Sequence, residues 1–317
     1  MSVLPILDVG LAFLVVGLAA WTVAARNLFA SVVGYVAYGL LLALVWIRLY
    51  APDVALTEAA VGGGVTGVLL ITAGKRLGAL EKDEAGATPA LALKIVAGAL
   101  ALFVAGALAW VVVTLPDPAP TLAPAAAAAA DGPGAGLGNP ITAVLISYRS
   151  FDTMLEKVVL ILAVIGVWSV GADSAWGAAP APLGRPQPAG AMVLLAQILA
   201  PIGALIGVHI FWVGADAPGG AFQGGALLAA MWMAAMMARL TDPPRIDARW
   251  LRLALVAGPA VFLVIGFAGL GLAGDFFAFP PAFAKPLILF IETFMVLSIA
   301  VALPLLVAGP LNGRSAR

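Results

Sequence analysis

The chain is a succession of long apolar stretches separated by short polar or Gly- and Pro-rich breaks. About 20 residues of helix cross the roughly 30 Å hydrocarbon core of a bilayer, so stretches of that length predict membrane-spanning helices. Cutting the chain at its charges, prolines and glycines gives about nine such stretches. They cover residues 6–25, 28–50, 54–74, 91–115, 155–172, 192–213, 221–240, 250–272 and 284–309. The pattern therefore predicts an all-α, polytopic membrane helix bundle.

The apolar stretches are continuous, whereas the strands of a membrane β-barrel alternate polar and apolar residues over about ten positions, so a barrel is disfavoured. The first stretch has no Lys or Arg before it and no clear small-residue cleavage site after it. We therefore expect this stretch to remain as a helix rather than to be removed as a signal peptide.

Basic residues predict the orientation of the bundle. In a nine-helix topology 12 of the 16 Lys and Arg residues fall on one side of the membrane. These twelve are Arg26, Lys75, Arg76, Lys82, Lys94, Arg185, Arg239, Arg245, Arg249, Arg252, Arg314 and Arg317. Because basic residues concentrate on the cytoplasmic side, the N-terminus is expected outside and the C-terminus in the cytoplasm.

Composition narrows the classes of function. Hydrophobic residues make up 63% of the 317, charged residues 10%, and the formal net charge is zero. This balance excludes an ordinary soluble globule and argues against nucleic-acid binding, which needs clustered Lys and Arg. The absence of cysteine excludes disulfides and thiolate metal sites, and the one histidine, His209, argues against a multi-His centre. We expect no catalytic residue, metal site or cofactor on this chain.

Two stretches are predicted to be linkers. Residues 116–139 are rich in Pro and Ala and include an alanine run at 125–130 that could form a short helix, and residues 173–190 are rich in Pro and Gly. They divide the chain into modules at 1–80, 90–172 and 190–317, with three, two and four helices.

Glu58 is the first ionisable residue inside a predicted span. A charged group at the bilayer centre is unfavourable by about 3 kcal/mol or more, so Glu58 is a candidate for proton exchange near neutral pH. The glycines that follow it predict close helix approach, or a helix that can unwind or bulge by one residue. These are Gly62, Gly63, Gly64 and Gly67. Asp53, at the start of the same helix, is interpreted as an N-cap.

Asp152 and Glu156 lie four residues apart, so they share a helix face where the fifth span begins. Two carboxylates so near each other favour a cation beside them, and Arg149 and Lys157 are the candidates. A proton or cation relay and a solvated, salt-bridged helix start remain alternative interpretations.

The stretch from His209 to Gly225 has a Gly and Pro density that predicts broken or tightly turned backbone against protein or water. His209 could relay a proton, because the pKa of an unperturbed histidine is about 6.5, or it could be a hydrogen-bonded interface residue. The glycine string lacks the Gly-Lys-Ser/Thr ending of a phosphate loop. Later in the chain, Lys285 and Glu292 are seven residues apart on one helix face, and Glu292 lies well inside the ninth span.

Three motifs resemble known families. Residues 52–62, Pro-Asp-Val-Ala-Leu-Thr-Glu-Ala-Ala-Val-Gly, resemble the MbhD family of membrane-bound hydrogenases, which also occurs in the large Mrp antiporter subunit. Residues 139–157, with Tyr-Arg-Ser-Phe-Asp-Thr-x-x-Glu, resemble MbhE. Residues 192–309, around Gly-Ala-Asp-Ala-Pro-Gly-Gly-Ala-Phe-Gln-Gly-Gly at 214–225, resemble MnhB/MrpB.

The resemblance implies residue roles. The acidic residues of the first two motifs map to Glu58 and Glu156, and the MbhD/MbhE region implies a flexible, π-bulged helix. The motif loop of the third family maps to Asp216, Pro218, Gly219, Gly220, Phe222, Gly224 and Gly225. Where that family has His-Asn, this chain has Ala215 and Asp216, so a role of the family histidine does not transfer directly.

The resemblance implies a subunit of a Mrp-type Na⁺ or K⁺/H⁺ antiporter in a bacterial or archaeal cytoplasmic membrane. Glu58, Glu156 and Glu292 would exchange protons or cations beside large antiporter-like subunits and other small subunits. One alternative is the pumping membrane arm of a hydrogenase or complex I-like redox enzyme, and a further one is a structural scaffold.

Overall fold

The computed structural model describes residues 3–80, 91–116, 136–172, 174, 176–183 and 187–310. The helices α1 to α5 span Val3–Ala24, Leu28–Arg48, Pro52–Glu58, Thr66–Leu80 and Leu91–Thr114. The helices α6 to α11 span Pro140–Ala143, Ser150–Ser169, Gly190–Val213, Ala221–Met237, Arg249–Leu272 and Ala284–Ala308. Ala59–Val65 joins α3 to α4 as a π-helix, Val144–Tyr148 follows α6 as a second one, and Pro281–Phe283 is a 3₁₀ turn. Within the described ranges the protein is all-helical, which confirms the predicted fold class.

All nine predicted spans are helical. Seven helical segments are long and apolar enough to cross a membrane. The other two are α9, which is shorter at 17 residues, and α7, whose first two turns carry Asp152, Glu156 and Lys157. The orientation remains a prediction, and Lys82, Arg185, Arg314, Arg317 and the alanine run at 125–130 lie outside the described residues.

The fifth span begins earlier than the sequence predicted. Its helix α7 starts at Ser150 instead of residue 155, because its charged residues are accommodated within the helix. Arg149 forms an ion pair with Asp152, and the Lys157 ammonium lies 3.5 Å from the Glu156 carboxylate.

The N-terminal half is a layer of three consecutive spans. α1 packs on α2, and α2 packs on α3, the first π-helix and α4. Arg48 at the end of α2 makes a bidentate ion pair with Asp8 of α1, with nitrogen to oxygen distances of 2.8 and 3.0 Å. The predicted helix bulge is confirmed by the π-helix at Ala59–Val65.

The C-terminal half is built around α11. This helix packs against α7, α9 and α10, and most of its length between Ile288 and Ala308 is buried. Its apolar side chains belong to all three core clusters, so α11 is the axis of the bundle. The polar Glu292 is also buried on this helix, with 3% of its surface exposed. The first π-helix contacts α9, which joins the two halves.

Candidate functional site

The three motif segments meet at one junction. Residues at the starts of α3 and α6 form hydrogen bonds with each other and with the loop between α8 and α9. These are the segments that resembled three separate families, and they come from positions near residues 53, 139 and 219. The fold therefore brings three segments that are distant in sequence together at one site.

Asp53 is the centre of this junction. Its Oδ1 accepts hydrogen bonds from the backbone N–H of Gly219 at 3.0 Å and from the side-chain amide of Asn139 at 3.2 Å. The interpretation of Asp53 as an N-cap was wrong. Ala51 occupies the N-cap position, no side-chain capping bond is formed there, and the buried Asp53 carboxylate contacts the loop instead.

Asn139 and Thr142 hold the other side of the loop. Asn139 caps α6 through its side-chain oxygen, while its amide donates to the carbonyl of Ala217 at 3.0 Å. The hydroxyl of Thr142 donates to the carbonyl of Gly214 at 2.6 Å. Backbone carbonyls of a non-helical loop are thereby satisfied by protein side chains.

The motif glycines are explained by backbone conformation and close packing. Gly219 and Gly220 have φ angles of +153° and +130°, which residues with a side chain rarely adopt. A Cβ on Gly224 would lie 2.6 Å from the Gly207 carbonyl oxygen, and one on Gly225 would lie 2.8 Å from Ile299. The predicted tight turn is confirmed, and the later glycines let α9 approach α8 and α11.

Beside the junction lies a cavity of about 340 Å³. Its polar lining comes from five elements, namely α3, α6, α7, the first turn of α9 and α11. The polar residues are Thr57, Thr142, Thr153, Glu156, Lys157, Gln223 and Glu292. A second cavity of about 330 Å³ contains Asp53, Asn139 and Asp216 in its lining and shares Ile141 with the first. Asp53 and Thr57, one helical turn apart, thus face adjoining cavities.

Glu292 is the buried carboxylate of the first cavity. Its Oε1 lies 3.4 Å from the backbone N–H of Ala221, which donates to it at the start of α9. Its Oε2 is buried and has no hydrogen-bond partner among the described residues. A buried, unsatisfied polar atom is unfavourable, so this oxygen marks a place for a proton, water or ion.

Lys157 is the buried cation of the same cavity. Only 4% of its side chain is exposed, whereas the Glu156 side chain beside it is 59% exposed. The ammonium also lies 5.0 Å from the centre of the Phe222 ring, within the range of a cation–π contact. Two carboxylates and one ammonium therefore line this cavity, one carboxylate at its exposed side and the other inside.

Glu58 lies at the start of the π-helix but does not line this cavity. It is half-buried, and its carboxylate covers Gly62, where a Cβ would collide with it. Gly62 therefore makes room for the Glu58 side chain, while Gly63 packs against Leu40 of α2.

The remaining candidates lie apart from the cavity. Asp152 is exposed and paired with Arg149, and His209 is exposed on α8. Lys285 does not pair with Glu292 on its own helix. It forms an ion pair with Asp216 of the motif loop, with Nζ to oxygen distances of 2.6 and 2.8 Å, because that loop folds over the start of α11.

Sequence reasoning missed several polar residues of the site. Asn139, Thr142 and Gln223 were not singled out as functional, although Gln223 donates to the Thr57 hydroxyl at 3.1 Å. The one available signal was the pair Asp53 and Thr57, polar residues one turn apart in an apolar helix. In the part of the chain that the structure describes, no three His, Asp or Glu side chains are grouped to hold a metal.

Comparison with known families identifies two parts of the chain. Residues 13–79 match the family model MbhD, which represents the D subunit of MBH. Residues 191–310 match MnhB, described as a domain related to the MnhB subunit of a Na⁺/H⁺ antiporter. Both resemblances seen in the sequence are thereby confirmed, and the resemblance of residues 139–157 to MbhE stays a prediction. No curated protein matched the sequence.

Two solved structures share the fold. A chain of the Mrp complex from Dietzia sp. DQ12-45-1b aligns over 97% of this chain with a TM-score of 0.70 and 23% identity. The present chain spans 35% of the length of that Mrp chain. A chain of an archaeal membrane-bound sulfane sulfur reductase aligns over 68% of this chain and 97% of its own, with a TM-score of 0.54 and 24% identity. The protein is a multi-pass membrane subunit that joins an MbhD domain to an MnhB-type domain, and it is thereby related to cation/proton antiporter subunits.

Proposed function

We propose that this chain forms part of the ion path of a Mrp-type Na⁺ or K⁺/H⁺ antiporter in a bacterial or archaeal cytoplasmic membrane. The observation that carries the proposal is Glu292, a carboxylate buried in a helix core with one oxygen unpaired among the described residues and facing a cavity. A subunit that only anchored others would have no need of such a group, since ionisable residues within spans are unfavourable.

The family relation supports antiport as the process. MnhB is described as a subunit of a Na⁺/H⁺ antiporter, and the fold matches part of a Mrp-complex chain. Because this chain spans 35% of that Mrp chain, we expect large antiporter-like subunits and other small subunits beside it. Transport would then be a property of the assembly, with this chain supplying one segment of the path.

Within the chain, the proposed path uses the carboxylates in two places. Glu156 and Glu292 exchange protons or pair with cations at the cavity, where Lys157 balances one of the two charges. Glu58 acts beside the π-helix, whose irregular hydrogen bonding suits a segment that changes conformation. We propose that local rearrangement of this segment hydrates or closes the route to the cavity.

A second candidate is the membrane arm of a redox enzyme. It is favoured by the MbhD match and by the fold shared with a chain of the sulfane sulfur reductase complex. The same carboxylates would then move ions in response to electron transfer in other subunits.

The driving force distinguishes the two candidates. The intact complex would be purified through a tag on this chain, its subunits identified by mass spectrometry, and the complex reconstituted in vesicles. Antiport predicts proton movement when a Na⁺ or K⁺ gradient is imposed without an electron donor. Proton movement that requires an electron donor and acceptor would overturn antiport in favour of the redox candidate.

The Glu58→Gln variant tests whether Glu58, beside the π-helix, belongs to the ion path. This variant keeps the size and hydrogen-bonding capacity of the side chain over Gly62, so we expect normal complex levels. We expect it to lose most of the gradient-driven proton movement, because the amide cannot exchange a proton near neutral pH. Full activity in this variant would remove Glu58 from the path.

A further inference from the structure

We infer that Lys157 is a tethered cation that alternates between Glu156 and Glu292, so that the cavity transfers protons and excludes alkali cations. The inference rests on the proposed ion path and names the ion that this part of it carries. Among the described residues, the charged residues in the cavity lining are Glu156, Lys157 and Glu292, which gives two carboxylates and one ammonium.

One ammonium cannot neutralise two carboxylates at once. In the structure the Lys157 ammonium lies 3.5 Å from Glu156 Oε2, so Lys157 compensates the carboxylate at the exposed side. Glu292 is then left with a buried oxygen that has no partner in the described part of the chain. An uncompensated buried charge is strongly unfavourable, so in this arrangement Glu292 carries a proton.

In the other arrangement the Lys157 ammonium pairs with Glu292, which the flexible lysine side chain permits. Lys157 and Glu292 line the same cavity and attract each other electrostatically. A lysine ammonium is a compact charge on a four-carbon chain with several rotamers. When it moves to Glu292, that carboxylate becomes ionised and its proton passes to water in the cavity. Glu156 then lies at the open side of the cavity, with 59% of its side chain exposed. One proton is released per movement, and the lysine stays protonated throughout.

The Lys157 ammonium also disfavours the binding of alkali cations in the cavity. A Na⁺ or K⁺ ion entering the cavity loses its water and needs several oxygen ligands in return. The lining does offer oxygens on Thr57, Thr153 and Gln223, so the exclusion rests on charge, since the Lys157 ammonium already supplies the positive charge that a carboxylate needs. Lys285, the other lysine on α11, is held by Asp216 outside the cavity lining.

Infrared difference spectroscopy of the purified complex tests this directly. The C=O stretch of a protonated carboxyl reports the proton on Glu292, and the Glu292→Gln variant identifies its band by loss. At fixed pH and ionic strength, we expect replacement of choline by Na⁺ or K⁺ to leave this band unchanged. A band that declines as Na⁺ or K⁺ is added would overturn the inference, and so would the absence of any band that Glu292→Gln removes.

Two variants should change the band in opposite directions. In Glu156→Gln, Lys157 loses its other partner and pairs with Glu292, so the band should be lost at a pH where the wild type shows it. In Lys157→Met the band should persist to higher pH, because no ammonium can replace the proton. Lys94→Met is the matched control, since Lys94 is exposed on α5, and it should match the wild type. A band unchanged in Glu156→Gln would overturn the alternation.

The spectroscopic result is separable from the proposed function. If the band behaves as expected but Glu292→Gln transports normally, the proton chemistry stands and the ion-path role fails. If Glu292→Gln abolishes transport but the wild-type band responds to Na⁺, the ion path stands and this inference fails.

Discussion

Asp53 is the residue whose contacts tie the MbhD domain to the MnhB-type domain. It accepts one hydrogen bond from the motif loop and one from Asn139, across 166 and 86 residues of sequence. Hydrogen bonds to an ionised, buried acceptor are among the strong ones in proteins. The junction therefore combines the polar contacts of Asp53 with the apolar cluster that Val65 of the first π-helix shares with α9 and α11.

Asp53→Ala should destabilise the protein by about 2 kcal/mol, because it removes the acceptor of the Gly219 N–H and one of the two acceptors of the Asn139 amide. The temperature of unfolding of the detergent-solubilised complex measures this. Asp53→Asn is the matched control, since its amide oxygen can accept the same two bonds, and it should unfold closer to the wild type. Equal stability of Asp53→Ala and the wild type would contradict the role assigned to this residue.

The grouping of side chains was the part of the site that sequence predicted least. Glu156, Lys157, Glu292 and the glycine loop were all singled out, because ionisable residues and glycines are conspicuous in apolar spans. Their grouping was not predicted, since it depends on how α7 packs against α11. The partner of Lys285 was unpredictable for the same reason, because Asp216 reaches it through tertiary folding of the loop.

Secondary-structure elements were predicted closely, since long apolar stretches leave few alternatives to a helix. The consecutive glycines predicted either close helix approach or a helix that unwinds or bulges, and the structure shows a π-helix that is also closely packed. A Cβ on Gly39 of α2 would lie 2.9 Å from the backbone nitrogen of Gly63, so the two helices touch through backbone. The second π-helix, Val144–Tyr148, contains no glycine, so its sequence carried no such signal.

Gly39→Ala should therefore force α2 away from the first π-helix. Overpacking of this kind destabilises by about 1–3 kcal/mol, which a lower unfolding temperature of the complex would report. Gly106→Ala is the matched control, because a Cβ there meets nothing within 4 Å, and it should be neutral. If both variants unfold like the wild type, the close approach of these elements is not as described.

At the scale of the whole molecule, apolar surface remains uncovered within the described structure. No residue in the apolar windows of α1 and α5 is buried, and large side chains such as Phe13 and Phe103 are 75% and 73% exposed. Lipid or other subunits must cover these faces. Because the proposed function places this chain in a multi-subunit assembly, we propose that another protein subunit covers α5.

A photo-crosslinking residue at Phe103 tests this expectation. In native membranes, irradiation should join this chain to a second protein subunit, giving a larger band that mass spectrometry identifies. A sample kept in the dark should show no such band. Adducts to lipid alone would mean that α5 faces the bilayer and that partner subunits bind elsewhere.

The central proposal is that Glu292, the buried carboxylate of the cavity beside the junction, exchanges protons on the ion path. Its most direct test is gradient-driven proton movement in vesicles containing the complex with Glu292→Gln. Asp242→Asn, an exposed carboxylate outside the cavity lining, serves as the control and should transport like the wild type. We predict that Glu292→Gln assembles at normal levels and loses at least nine-tenths of the activity, which corresponds to a rise of about 1.4 kcal/mol or more in the activation free energy of transport. Full proton movement by assembled Glu292→Gln complex would contradict the account.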